Sequence, residues 1–267
     1  MNHLFRELAP VSEAAWAEIE EESTRTLKHF LTGRRLVDFV GPEGWSKDSV
    51  ATGHTEDVKK APEAIRARLR TPQPLVEFRT EFSLDREQID AIERGARDID
   101  LDPVRDAARH LALAEDEAIF LGNNGARVKG IAPESPHAPL PIGDKYAEYP
   151  RTVARAVALL QNIGVGAPYA LALGPRCFTG VIETTEMGGY PVMEHLRLIT
   201  GGPVLWAPAV DGAIVMSTRG GDFELTVGQD PALGYLAHDA KRVQLYLETS
   251  FTFQVLTPEA AVHLSYE

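Results

Sequence analysis

The sequence predicts a mixed α+β fold in which one long helix and one long strand frame a separate lobe of alternating helices and strands. Three observations carry this. Residues 103–121 place Ala107, Leu111, Ala114, Ala118 and Leu121 on one helical face, with Pro103 in the first turn and Gly122 as the stop. Residues 243–255 alternate: Val243, Leu245, Leu247, Thr249, Phe251, Phe253 and Val255 share one face, while Gln244, Glu248, Ser250, Thr252 and Gln254 share the other. Pro133, Pro136, Pro139 and Pro141 lie between these two segments and mark the clearest linker in the chain. The helix would be a rod of about 28 Å, and the strand, at roughly 43 Å, exceeds the usual strand length.

The composition bounds the function. The chain has 267 residues, 44% hydrophobic and 25% charged, enough for one large or two modest domains. A net charge of −12 repels polyphosphate and argues against general nucleic-acid binding. The single cysteine, Cys177, rules out an intrachain disulfide and a four-cysteine zinc site, and it fits a reducing compartment. The first turns lack the apolar core of a signal peptide, and no run is long enough to span a bilayer. A cytoplasmic protein with no membrane partner is the expectation.

The elements follow in order. Ser12 is a good N-cap, and Val11 with Trp16 makes a hydrophobic staple. Trp16, Ile19, Ser23, Leu27 and Phe30 continue at helical spacing to Gly33, so the first helix either packs on its own domain or docks a partner. Residues 36–40 read as a short strand. Residues 47–74 are polar, with Arg66, Arg68 and Arg70 alternating with Ala67 and Leu69 and with Pro62, Pro72 and Pro74 interspersed. A ribbon this charged has no core of its own and is marginal alone, so it either lies on a neighbour or remains a surface loop. Val76, Phe78, Thr80 and Phe82 alternate as a strand. Asp85 then caps a helix ending at Gly95, with Gln88 placed for a capping box and Leu84 with Ile89 for a staple. Asp102 is the expected N-cap of the long helix. Past the prolines come helices near 150–163, 175–184 and 191–199 and strands at 169–173, 204–207, 213–218 and 222–227, which together form an α/β lobe.

Chemistry is hard to find. The eight histidines are scattered without metal-ligand spacing. Asp98, Asp100 and Asp102 lack the glycine and distal glutamate of a calcium loop, and capping explains them. Cys177 has no neighbouring base, and His238-Asp239 reads as a turn. Arg219-Gly220-Gly221-Asp222 matches no phosphate loop. No catalytic residue, metal or cofactor is expected, and a structural or binding role is favoured.

Several blocks resemble the family 1 encapsulins, the linocin-like group. These are Leu8-Ala9-Pro10-Val11-Ser12-Glu13 with Trp16; Gly33-Arg34-Arg35-Leu36-Val37-Asp38; Glu115 through Gly122; Gly166-Ala167-Pro168-Tyr169; and Gly189-Tyr190-Pro191. The most specific are Arg219-Gly220-Gly221-Asp222-Phe223, Gly228-Gln229-Asp230, Gly234-Tyr235 and Glu248 through Phe253. The resemblance runs from residue 8 to about 260 and implies an HK97 phage-capsid-like fold. Residues 1–46 would form the N-terminal helix and first strand on the cargo side, and 47–81 an extended E-loop crossing a neighbour. Residues 82–135 and 223–267 would form the peripheral domain with its spine helix, and 136–222 the axial domain.

Function follows from the resemblance. The chain would be the shell subunit of a self-assembling icosahedral nanocompartment of about 60 copies, the smallest closed shell. Such shells enclose cargo enzymes, dye-decolourising peroxidases or ferritin-like iron oxidases, which they hold by a C-terminal docking peptide. By position, the dock would use Leu27, Leu31, Arg34 and Asp38, with Asp230 and Leu233 from the sheet, a mixture of apolar sockets and charges. A local Arg34–Asp38 ion pair is the plainer account of two of these. Changing either residue is expected to spare the shell and lower cargo loading. The pore loop would comprise Thr185, Glu186, Met187, Gly188, Gly189 and Tyr190, with Glu183 and Glu186 forming a carboxylate ring that favours small cations. A simple glycine turn explains the same residues. Some members bind flavin, but no aromatic platform stands near 85–96, so none is expected. Two other readings stay open: a viral or prophage major capsid protein, and a hydrolase with an unrecognised active site.

Overall fold

A computed structural model describes residues 3–60, 62–186 and 188–266. The chain opens with helix α1 (Glu13–Phe30), capped by the Ser12 hydroxyl, which accepts the Ala15 N–H at 3.2 Å. Strand β1 (Asp38–Val40) follows a 3-10 turn at Gly33–Arg35. The helix thus ends at Phe30, short of the expected Gly33, which belongs to that turn.

The polar segment is a two-stranded antiparallel hairpin, β2 (Ser49–Asp57) with β3 (Arg68–Pro74), and it joins no other sheet. Ile65 and Leu69 on it are 59% and 62% exposed. At its base, Gln73 Nε2 donates to the Arg127 carbonyl at 2.7 Å. Strand β4 (Val76–Asp85) pairs along β11 (Arg242–Val255). Residues 76–81, grouped with the arm in the expected boundaries, therefore lie in a main sheet.

That sheet explains the length of β11. Along one edge it carries β4. Along the other it carries two strands end to end, β9 (Phe223–Val227) against 251–255 and β10 (Ala232–His238) against 243–248. The odd positions Val243, Leu245 and Leu247 pack with Ala15, Trp16 and Ile19 of α1 and with Ala108 and Leu111 of helix α3 (Asp102–Phe120). Farther along, Phe251 meets Phe78 edge-on at 5.1 Å. The even positions Tyr246, Glu248, Ser250 and Thr252, though mostly polar, are buried too. Glu248 is matched there by Arg79 at 2.6 Å, and the Tyr246 hydroxyl donates to the His3 carbonyl at 3.2 Å.

Helix α2 (Arg86–Glu93) is capped by Asp85, which accepts the Glu87 N–H at 2.8 Å. Its capping box is not closed, because Gln88 accepts instead from the Asp100 N–H at 3.2 Å. The long helix starts at Asp102 and not after it. Leu101 is the N-cap, and Asp100 takes the Asp102 N–H at 3.0 Å, so Asp100 holds the entry turn expected of Asp102.

The proline-rich stretch is structured. It holds α4 (Ile131–Glu134) and β5 (Leu140–Ile142), and the Ser135 hydroxyl donates to the Ala261 carbonyl at 2.7 Å. The second lobe comprises α5 (Tyr149–Asn162), β6 (Tyr169–Leu173), α6 (Pro175–Glu183), α7 (Val192–Thr200), β7 (Val204–Trp206) and β8 (Ala213–Ser217). Its sheet runs β5-β12-β8-β6-β7, where β12 is Ala261–Tyr266. The segment 223–267 is therefore divided: its early strands build the first sheet, and β12 crosses to the second.

Candidate functional site

The chain reversal after α1 builds the site. Leu31 leaves helical geometry while its N–H still donates to the Leu27 carbonyl at 2.8 Å. The next two N–H groups, of Thr32 and Gly33, donate to the two oxygens of Asp116 at 2.8 and 2.9 Å, and the Thr32 hydroxyl donates to the Trp206 carbonyl at 2.8 Å. Glycine at 33 leaves room for Ile119, because a Cβ there would stand 2.7 Å from Ile119 Cδ1 and that methyl would have to move. Burial pushes the Asp116 carboxyl up to about 7, against the two N–H groups that pull it down.

This turn aims Arg34 at two carboxylates. Its Nε and Nη2 donate to Glu115 at 2.5 and 2.8 Å, and its Nη1 donates to Asp230 at 2.5 Å. Burial alone would lower the Arg34 pKa, but the bonds and charges of Glu115 and Asp230 reverse this and raise it. Beside the pair lies a groove of about 350 Å³, whose wall includes Leu27, Leu31, Arg34, Asp230 and Pro231. Four of the six expected docking residues thus converge. Leu233 is 4% exposed and packs beneath the groove in the same apolar cluster as Leu27, so it supports the wall without facing a ligand.

Asp38 does not join them. Its carboxylate accepts the Gly221 N–H at 2.5 Å and borders a separate hollow with Gly220 and Phe223. The expected Arg34–Asp38 pair is replaced by Arg34–Glu115–Asp230. Sequence reasoning missed Glu115, although a signal exists: it sits one turn after Leu111 and one before Ile119, on the buried face of α3. A charge on an apolar stripe demands a buried partner.

The loop between α6 and α7 closes tightly. Glu186 N–H donates to the Tyr190 carbonyl at 2.8 Å, and Gly189 N–H donates to Glu186 at 2.9 Å. Gly188 and Gly189 both take positive φ, +100° and +81°, which favours glycine at each. Glu183, Thr185 and Tyr190 are exposed, and Met187 lies outside the described residues. Glu186 is not free: its Oε1 lies 2.8 Å from Nδ1 of His195 on α7.

The remaining reactive groups are structural. Cys177 is fully buried between the Tyr149 and Tyr266 hydroxyls, at 3.4 and 3.1 Å. Burial, with the thiol and Tyr266 beside it, raises the Tyr149 pKa, so this phenol does not supply a base. His238 meets the Tyr235 hydroxyl at 2.6 Å, while Asp239 accepts the N–H groups of Lys241 and Arg242 in a turn. Among the described residues, no cluster of His, Cys, Asp and Glu has the makings of a metal site, and no helix is long and apolar enough to cross a membrane.

Residues 1–252 match a family model described as an encapsulating protein for peroxidase. A type 1 encapsulin shell protein of Rhodospirillum rubrum is 48% identical across 99% of this chain and 96% of its own length. Another, from Mycobacterium tuberculosis, is 45% identical across the whole of both. Among solved structures, the virus-like particle from Pyrococcus furiosus superposes with a TM-score of 0.63 at 19% identity, covering 94% of this chain and 97% of that one. Gordonia phage Cozz gives 0.57 at 13% identity, covering 89% and 87%. At these identities the structural likeness speaks for the fold alone.

Proposed function

Because the chain belongs to the encapsulin shell-protein family, a structural and not a catalytic group, we propose that it captures a cargo enzyme by a peptide laid in the groove beside α1. The fold is the HK97-like capsid fold, and the protein is the shell component of a capsid-like compartment. The observation that carries the docking reading is the groove itself. Leu27 and Leu31 offer apolar sockets at its floor, and the Arg34–Asp230 pair offers both signs of charge at its rim. Alternating apolar sockets with charges at the edge is how an extended peptide is held in register.

About 60 copies would form the smallest shell, with the hairpin arm lying across a neighbouring subunit. Its exposed Ile65 and Leu69 support this role, because an arm joined to no sheet gains its contacts elsewhere. A peroxidase is the favoured cargo, given the description of the matching family, and a ferritin-like enzyme is the second candidate. The α6–α7 loop, with Glu183 exposed, would line a pore for small cations. Iron storage or protection from oxidative stress would follow from the cargo, in a cytoplasmic compartment.

The test is to express the protein with its native cargo and compare it with Leu31→Asp. Electron microscopy is expected to find uniform hollow shells in both, with cargo recovery reduced by at least about tenfold in the variant, because a charge in an apolar socket is strongly disfavoured. Equal cargo recovery would remove the groove from the capture step. A compact, well-folded single subunit at every concentration would end the shell reading.

A further inference from the structure

The C-terminal half of α1 is flanked by two grooves, and Lys28 borders both. The first is the candidate dock. The second, about 660 Å³, runs between α1 and α3 and is edged by Arg25, Lys28, His29, Arg105 and Arg109, with Phe30 half-buried among them. Helical spacing makes this wall: Arg25 and His29 stand one turn apart on α1, and Arg105 and Arg109 one turn apart on α3. This basic wall stands in a chain whose net charge is −12.

The local acids leave part of that charge unmatched. Glu22 is shared by Arg25 and Arg105, and Arg105 also pairs with Asp102. Among the described residues, Lys28 and Arg109 have no carboxylate partner. The Arg109 guanidinium lies 5.6 Å from the centre of the Phe30 ring, and Phe30 is in turn 5.6 Å from Trp206. The groove thus combines unmatched cations with a half-exposed aromatic face, and it adjoins the first groove across a single side chain.

We propose that this second groove receives a carboxylate-rich stretch of the captured peptide next to its apolar anchor, so that the dock is bipartite. The proposal rests on the docking reading and adds the chemistry of the partner: apolar residues followed by acids. Nucleic acid fits less well, because a long phosphate backbone would extend beyond the groove over a chain whose net charge of −12 repels it. Charge complementarity and continuity with the apolar groove both favour an acidic peptide.

The experiment uses shells assembled in cells with a fluorescent reporter protein carrying one of two tails. Both tails contain alternating leucines; one continues into a run of glutamates and the other into an equal run of glutamines. The glutamate tail is expected to load about fivefold more reporter per shell, the effect of a few exposed ion pairs. Combining Arg25→Gln with Arg109→Gln, which border the second groove and not the first, is expected to erase that preference while leaving the shells and the glutamine tail unchanged. Equal loading of the two tails, or no loading of either, overturns the proposal. So does nucleic acid that co-purifies with the shells and is lost in the double variant. The apolar groove is judged separately, by native cargo recovery with Leu31→Asp, so the two failures are distinguishable.

Discussion

Arg34 clasps both oxygens of Glu115, at 2.5 and 2.8 Å, from positions 81 residues apart in the chain. The Glu115 side chain is 1% exposed and Arg34 is 15% exposed, so the pair is buried and each partner depends on the other. Removing Arg34 leaves an uncompensated buried carboxylate. Arg34→Ala is expected to cost about 3–5 kcal/mol in subunit stability, measured by denaturant unfolding, and adding Glu115→Gln is expected to recover much of it. Asp230, with a side chain 55% exposed, is different, and Asp230→Ala is expected to change stability by less than about 1 kcal/mol. Capture is thus probed cleanly through Asp230 and Leu31, whereas changing Arg34 disturbs the subunit as well. Equal stability of Arg34→Ala and wild type would contradict the structural role of the pair.

Asp116 confers a pH dependence of known sign. Its carboxyl is raised by burial from 3.8 to about 7. Between these values the folded chain holds a proton that the unfolded chain has released, so this contribution to stability is full below the lower value and is lost as pH rises through the upper one. Asp116→Asn carries no such proton. The melting temperature of wild type relative to Asp116→Asn is therefore expected to fall as pH is raised from about 5 to about 8. A difference that stays flat over that range would show that the two backbone N–H donors, and not burial, govern this carboxyl.

The hairpin arm separates assembly from folding. Ile65 and Leu69 are exposed and lie outside both main sheets. Replacing both with serine is expected to leave far-UV circular dichroism unchanged and to lower the yield of closed shells in size-exclusion chromatography. Intact shell yield with both replaced would show that the arm contributes little through these side chains.

The end of the long helix is equally testable. Gly122 turns the chain with φ +84°, and Gly130 packs against it so closely that a Cβ at 130 would overlap the backbone of Leu121 and Gly122. Backbone on both sides leaves no flexible group to yield. Gly130→Ala is expected to destabilise by about 1–3 kcal/mol, the range for overpacking, as read by thermal melting. Gly143→Ala, where a Cβ meets nothing within 4 Å, is the matched control.

The parts of this fold that were legible in the sequence are those written in local period. The stripe of α3, the alternation of β11 and the Ser12 cap each depend on neighbours a few residues away. The parts that were not legible depend on distant partners. Nothing near Asp38 announces that its carboxylate will meet the Gly221 N–H, 183 positions later, and so the nearer Arg34 was the natural guess. The even face of β11 is polar in sequence and yet buried, and the partners that Glu248 and Tyr246 find there, Arg79 and His3, lie far away in sequence order. The start of α3 moved by one residue because three aspartates alternate there, and any of them has the chemistry to cap. Four of the residues expected at the dock line one groove, but the partner that Arg34 finds in Glu115 was not foreseen, because a buried charge shows in sequence only as an interruption of its helix stripe.

The crossing of β12 into the second sheet bears on how the protein is made. In that sheet β5 has β12 as its neighbour, so Leu140–Ile142 waits unpaired while more than a hundred further residues leave the ribosome. A nascent or prematurely terminated chain lacking Ala261–Tyr266 presents an open sheet edge, a state prone to misassociation. Closure of the second lobe therefore awaits the synthesis of Ala261–Tyr266.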